Sequence, residues 1–136
     1  MKRLLMLLAV LAAVAVGAHL SRPVIAADKA DAPFVHTVIF YLKKDAPKDE
    51  GKALVDDATE LLAKIPSVRM VKIGPPSDKT TPKVGVTDYQ VGLLVLFDNA
   101  DGLKTYLDHP LHVKYVEKHE KHIDKVLVYD FVNQAK

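Results

Sequence analysis

The 136-residue chain contains no cysteine, and this absence excludes several classes of function. Disulfide bonds, thiolate nucleophiles, cysteine-ligated metal sites and a lipid-modified N-terminal cysteine all need a residue that the chain lacks. A large excess of one charge is also missing, because 19 basic side chains are set against 17 acidic ones. A nearly neutral protein has no electrostatic reason to bind DNA or RNA, so no nucleic-acid partner is expected.

The N-terminal segment, residues 1–26, has the composition of a secretory signal peptide. A short basic start precedes an apolar run, Leu4–Ala18, and small residues follow it. Loss of this segment removes three basic residues and no acidic one, which changes the formal net charge from +2 to −1. We therefore expect an exported protein, periplasmic or extracellular, that is cleaved after Ala26 or Ala27 and then has no membrane contact. The alternative is a membrane anchor made by an uncleaved segment 4–20, although roughly 18–20 apolar residues usually span a bilayer.

The remainder reads as a polar leader, residues 27–33, followed by one domain, residues 34–132. Phe34–Leu42 is rich in β-branched and aromatic residues and predicts a strand. Apolar residues recur with helical spacing between about Pro47 and Lys64. The other predicted elements are strands at 68–73, 89–97 and 125–132, and two short helices after Asp98 or Asn99 that His109–Pro110 separates.

The order βαββαβ predicts an α+β fold of the ferredoxin-like type. Right-handed crossovers would give a four-stranded antiparallel sheet with its helices on one face. The predicted strands are apolar on both faces: Val35 and Ile39 alternate with Val38 and Phe40 in the first one. A sheet face without helices is normally polar. We therefore expect a second copy of the chain to cover it in a two-fold homodimer.

One stretch, Tyr106–His122, holds four of the six histidines: His109, His112, His119 and His122. On a helix from Pro110, His112 and His119 share the inward face with Val116, and lysines occupy the opposite face. His112 and His119 are separated by two turns, which is too far for both to bind one metal ion. His119 and His122 have a chelating spacing but no evident third ligand. No metal site is expected, and both are interpreted as a solvated or edge-of-core helix end.

His112 is different, because its predicted position faces the sheet. Tyr106 precedes it by six residues, and His36 lies on the first strand, so the three side chains could surround one apolar cleft. Two rings that titrate near neutral pH and a phenol are the parts of an acid–base site or of a ligand pocket. The alternative is that each buried histidine bonds a neighbour and only packs.

Three segments, "FVHTVIF", "DYQVGLLVLFDNADGLKTYLDHPLHVKYV" and "VLVYDF", resemble the stress-responsive A/B barrel domain, or Dabb, family. The most specific part is Tyr106–His112, which matches the family signature Tyr-x-x-His-Pro-x-His. The resemblance covers Phe34–Val132, almost all of the predicted mature chain. It implies ferredoxin-like protomers that pair through their sheets into a dimeric α/β barrel.

The family includes plant stress-response proteins and a plant polyketide cyclase. In the cyclase, an aldol-type ring closure uses the tyrosine and the last histidine of the signature, with a first-strand histidine in the pocket. These positions correspond to Tyr106, His112 and His36 here, whereas a further pocket histidine falls on or near Val91. That difference argues against the same substrate chemistry. Some members hold a divalent ion, but no carboxylate cluster here indicates one, and no cofactor is expected.

Three functions follow from this reading. The first is an exported, homodimeric stress-response-type protein that binds a small apolar or aromatic molecule through His36, Tyr106, His109 and His112. The second is an enzyme of the polyketide-cyclase-like acid–base type, with His112 as base and Tyr106 stabilising an oxyanion. The third is a structural oligomer without a ligand. An open cleft beside His112 would favour the first two, and a filled one would favour the third.

Overall fold

A computed structural model describes residues 33–79 and 83–134 of the chain. The predicted signal segment and nearly all of the leader lie outside these residues. The strands are β1 (Phe34–Leu42), β2 (Met70–Gly74), β3 (Val91–Phe97) and β4 (Ile123–Val132), and the helices are α1 (Glu50–Glu60), α2 (Ala100–Leu107) and α3 (Pro110–His119). No helix in the described ranges is both long and apolar enough to cross a membrane.

The four strands form one antiparallel sheet in the order β2-β3-β1-β4. This order confirms the predicted ferredoxin-like α+β fold, with the second helical segment divided in two. In the register, His36 of β1 lies between Val95 of β3 and Asp130 of β4. The three therefore share the sheet face toward the helices.

Helix α1 buries the predicted apolar stripe against this face. Leu54, Ala58 and Leu62 are fully buried and belong to the same core cluster as β3. The helix is shorter than expected, because the residues from Pro47 form a turn in which the Glu50 amide donates to the Pro47 carbonyl. At its other end, a 3-10 turn stops at Ile65, which is extended because a proline follows it.

The opposite face of the sheet is apolar, and none of the helices in the described ranges lies on it. A second, small cluster forms there around Val35 and Leu96. Towards the β4 edge, Tyr129 and Phe131 are 56% and 53% exposed. Since β4 is an edge strand, its outer hydrogen-bonding groups are also without a strand partner within the described chain.

Candidate functional site

A cavity of about 290 Å³ lies between the sheet and the helices α2 and α3. Its walls are mostly apolar, and the aliphatic and phenylalanine side chains that line it come largely from β1, β3, β4 and α3: Val38, Phe40, Leu93, Val116, Val126 and Val128. His36, Tyr106 and His112 also line it. The structure thus brings together three of the four residues that the sequence singled out for the site.

Tyr106 is placed by the start of α2. The Asn99 side chain accepts a hydrogen bond from the Gly102 amide at 3.0 Å and caps the helix. A Cβ on Gly102 would lie only 3.2 Å from the Phe97 Cβ, so glycine allows α2 to pack closely on β3. One turn later the Tyr106 ring packs against Phe97, with 5.2 Å between ring centroids. Burial raises the pKa of the Tyr106 hydroxyl, which therefore stays a proton donor at neutral pH.

His112 lies beside Tyr106, with ring centroids 4.5 Å apart. Its Nδ1 is 3.1 Å from the Leu107 carbonyl oxygen, so Nδ1–H donates and Nε2 carries the lone pair. Burial lowers the pKa of His112, and the nearby His36 acts in the same direction, against the opposing effect of the bond to Leu107. His112 is therefore a neutral imidazole at neutral pH, able to accept a hydrogen bond or a proton at Nε2.

His36 completes the group from the sheet side. Its ring centroid is 6.0 Å from that of Tyr106, and its Nδ1 is 2.6 Å from Oδ1 of Asp130. This contact with the carboxylate orients the ring. Sequence reasoning missed Asp130, although it is the single acid within the apolar run of the last strand. Aligning β1 and β4 in antiparallel register would have placed it opposite His36.

His109 lies apart from this group. Its Nδ1 accepts a hydrogen bond from the Leu111 amide at 3.2 Å, which makes it the N-cap of α3. Its side chain does not line the cavity. A ligand contact by His109 stays a prediction, whereas its capping contact is visible.

The interpretation of His119 as a solvated or edge-of-core helix end is wrong. Its side chain is 1% exposed, with Nδ1 2.6 Å from Glu50 Oε1 and Nε2 2.8 Å from Asp57 Oδ2. The reason is the rotation of α3, whose buried side is centred on Tyr115 and His119, while Val116 is 39% exposed. His122 does lie at the edge of the core, with Nε2 3.8 Å from a Glu50 oxygen.

Within residues 33–79 and 83–134, no group of three or more histidine, aspartate or glutamate side chains is arranged to hold a metal ion. The polar side chains that line the cavity are three imidazoles, two phenols and one carboxylate: His36, His112, His119, Tyr106, Tyr115 and Glu120. Asp130 is the hydrogen-bond partner of His36. Such a set can orient an oxygen-bearing ligand and can move a proton.

Together, these observations define a ferredoxin-like domain with a cavity between its sheet and its helices. The family model described as "Stress responsive A/B Barrel Domain" matches residues 34–133. The chain belongs to this family. A stress-response A/B barrel domain-containing protein of Arabidopsis thaliana is 28% identical over 98 residues, which are 72% of this chain and 84% of that protein.

Solved structures agree on the architecture. A Dabb family protein with a ferredoxin-like fold from Mesorhizobium loti is 28% identical, with a TM-score of 0.61 over 76% of this chain and 99% of that one. A dimeric ferredoxin-like protein of unknown function from Bacteroides fragilis is also 28% identical, with a TM-score of 0.57 over 74% and 95%. A hydroxynitrile lyase from Passiflora edulis shares the fold at 14% identity, with a TM-score of 0.62 over 77% and 97%.

Proposed function

We propose that this protein binds a small, mostly apolar or aromatic molecule that carries a hydrogen-bonding oxygen. The observation that supports this most is the cavity of about 290 Å³, apolar along its walls and polar where His36, Tyr106 and His112 converge. Ligand sites are typically apolar concavities with a few converging polar groups. A purely structural oligomer would have no need to leave this space open.

The two polar groups nearest each other have complementary hydrogen-bonding properties. The Tyr106 hydroxyl is a donor, and the neutral His112 offers an acceptor at Nε2. A phenol or the enol form of a β-dicarbonyl has both an acceptor and a donor and therefore suits this pair. A fully charged ligand would lose its hydration along the apolar walls.

Titration with the fluorescent phenol β-naphthol tests the site. We expect Tyr106→Phe and His112→Ala each to weaken its binding about fivefold or more, the effect of one lost hydrogen bond. Val113→Ala, an exposed change on the same helix as His112, is the matched control and leaves binding unchanged. Unchanged affinity in both site variants would remove the site, and absence of binding to the parent protein would favour the structural oligomer. Native mass spectrometry adds a direct search for a co-purified ligand.

An acid–base enzyme is the second candidate, and the state of His112 favours it. A neutral imidazole beside a protonated phenol can take a proton from a carbon acid at Nε2 while Tyr106 donates a hydrogen bond to the developing enolate oxygen. The oriented His36–Asp130 pair supplies a further group for proton transfer. Turnover of β-polyketones or quinones by the parent protein, lost in His112→Ala and Tyr106→Phe, is the expected result. No turnover of either class would count against an enzyme.

We also propose that the molecule is a homodimer. Support comes from the apolar sheet face that no described helix covers, from the exposed Tyr129 and Phe131 on it, and from the dimeric relatives of the same fold. Light scattering at micromolar concentration should give twice the protomer mass for the parent protein. The Phe131→Lys variant should have the mass of a single protomer. Val84→Lys changes an exposed valine in the loop before β3 and serves as control. A monomeric parent protein would contradict the proposal.

Export is proposed from the N-terminal sequence alone. In a secreting bacterial host, we expect the protein outside the cytoplasm, with Ala27 or Asp28 as its first residue. Mass spectrometry of the recovered protein reads that terminus directly. Recovery of the full-length chain from the membrane fraction would instead support an uncleaved anchor at residues 4–20.

A further inference from the structure

A second polar cluster lies where α3 meets α1, about 10 Å along α3 from His112. At its centre is His119, buried and in contact with two carboxylates through its two ring nitrogens. The Glu50 side chain is buried as well, and that of Asp57 is 18% exposed. His119 also lines the cavity, so the cluster forms part of its wall.

The cluster follows from the spacing of residues on the two helices. Glu50, Leu54 and Asp57 lie on one face of α1, because three or four residues make one turn. Tyr115 and His119 are one turn apart on α3, with ring centroids 4.8 Å apart. The Tyr115 hydroxyl donates to the Leu54 carbonyl at 3.2 Å. Three hydrogen bonds, two of them from His119, therefore connect α3 to α1.

Each ring nitrogen of His119 is in hydrogen-bond contact with one carboxylate. An ionised carboxylate only accepts hydrogen bonds, so two ionised partners require both ring nitrogens to donate, which is the imidazolium form. The nearby charges agree with this. Lys118 lies 2.5 Å from Asp57 and balances that acid, whereas the nearest basic side chain to Glu50 among the described residues is His119, at 2.6 Å. A buried carboxylate without a cation would be very costly.

Helix dipoles favour the same arrangement. Glu50 lies in the first turn of α1, where negative charge is stabilised, and His119 lies in the last turn of α3, where positive charge is stabilised. Tyr115 packs its ring against the His119 ring, and burial raises the pKa of the Tyr115 hydroxyl, so that hydroxyl stays neutral.

We propose that His119 is a positioning residue: as an imidazolium between Glu50 and Asp57, it fixes α3 against α1 and so sets the cavity width and the orientation of His112. The link to His112 is the helix itself, since α3 carries His112 near its start and His119 at its end. Between them, Tyr115 and Val116 line the cavity. The inference rests on the proposed ligand site, but the arrangement of the helices can be tested without a ligand.

The protonation state of the His119 ring is tested first, in the parent protein. In a sample with isotope-labelled histidine nitrogens, NMR at neutral pH should show two protonated ring nitrogens for His119 and one protonated, one unprotonated nitrogen for His112. An unprotonated nitrogen on His119 would overturn the proposal.

The effect of His119 on the cavity beside His112 is tested with His119→Gln and Glu50→Gln. Both substitutions keep the side-chain size nearly constant but remove the ion pair between His119 and Glu50. Each should move the NMR signals of the His112 ring and weaken β-naphthol binding about fivefold or more, in the lower range of coupling between two sites. His122→Gln is the matched control, because this ring lies at the edge of the same cluster and should change neither readout.

Lower stability with unchanged His112 signals and unchanged β-naphthol affinity would show that His119 is only structural, and the proposal would fail. If His119→Gln does not fold, the Glu50→Gln variant and the His119 ring-nitrogen signals of the parent protein still test the proposal. If the parent protein binds no β-naphthol, the ligand-site proposal fails, while the His112 ring signals still decide whether His119 positions that ring.

Discussion

Two buried tyrosines differ in the partners of their hydroxyl groups, and this difference predicts opposite effects of the same substitution. Tyr106 and Tyr115 are both in the core, and burial raises the pKa of each hydroxyl. The Tyr115 hydroxyl donates to the Leu54 carbonyl, whereas no described residue hydrogen-bonds the Tyr106 hydroxyl. Replacement by phenylalanine keeps the ring packing in both cases and removes only the oxygen.

The expected magnitudes follow from these contacts. Tyr115→Phe loses one neutral hydrogen bond, which costs about 0.5–1.5 kcal/mol of unfolding free energy. An unpaired buried hydroxyl costs about 1–3 kcal/mol, but the Tyr106 hydroxyl borders a cavity large enough for water, so we take the lower end. Tyr106→Phe should therefore stabilise the protein by about 1 kcal/mol. For a domain of this size, 1 kcal/mol shifts Tm by about 4–8 °C.

Urea unfolding followed by circular dichroism measures both variants, since the chain has no tryptophan to serve as a fluorescence probe. All samples are compared at one protein concentration, because dimerisation would couple to stability. Tyr106→Phe should unfold at higher urea than the parent protein and bind β-naphthol more weakly, and Tyr115→Phe should unfold at lower urea. Equal destabilisation by the two substitutions would refute the reasoning, because it would assign the Tyr106 hydroxyl a structural hydrogen bond instead of a place in the ligand site.

Three further predictions concern acid stability, the core and a helix cap. Burial would raise the pKa of Asp57, but hydrogen bonds from Lys118 and His119 outweigh it and hold the pKa below its usual range. Its stabilising contribution is therefore present above about pH 4 and lost as the pH falls through the folded-state pKa, so Asp57→Asn should flatten the acid limb of a plot of unfolding free energy against pH. Leu54→Ala should cost about 2–5 kcal/mol in urea unfolding, because it leaves a hole in a fully buried position. His109→Ala should cost about 1 kcal/mol through the lost α3 cap and leave β-naphthol binding unchanged, whereas weaker binding would assign His109 to the site.

The location of the site was only partly accessible from the sequence. Tyr106 and His112 lie six residues apart around one helix junction, so local spacing was sufficient to predict that they meet. The alternation of its strand placed His36 on one face with Val38 and Phe40, but it left open which face the helices cover. Asp130 could not be paired with it by local reasoning, because the two residues are 94 positions apart and meet only through the strand register.

His119 shows the same limit on a helix. A helical wheel gives the relative angles of its residues but not the direction that faces the core, which depends on how α3 packs against α1. A modest rotation exchanged Val116 for Tyr115 on the buried side and placed His119 between two carboxylates more than 60 residues away. A helix pattern with charged residues on one face therefore did not exclude a buried ionic cluster.

The sequence by itself determined the order of the elements, the ferredoxin-like fold and the apolar character of both sheet faces, because strand and helix periodicities are local properties of the chain. It also determined the Tyr106–His112 part of the site. Only the tertiary structure decided that a cavity stays open beside His112, that Asp130 orients His36, and that His119 links α3 to α1. These features depend on strand register and helix rotation, which are set by packing between segments distant in the sequence.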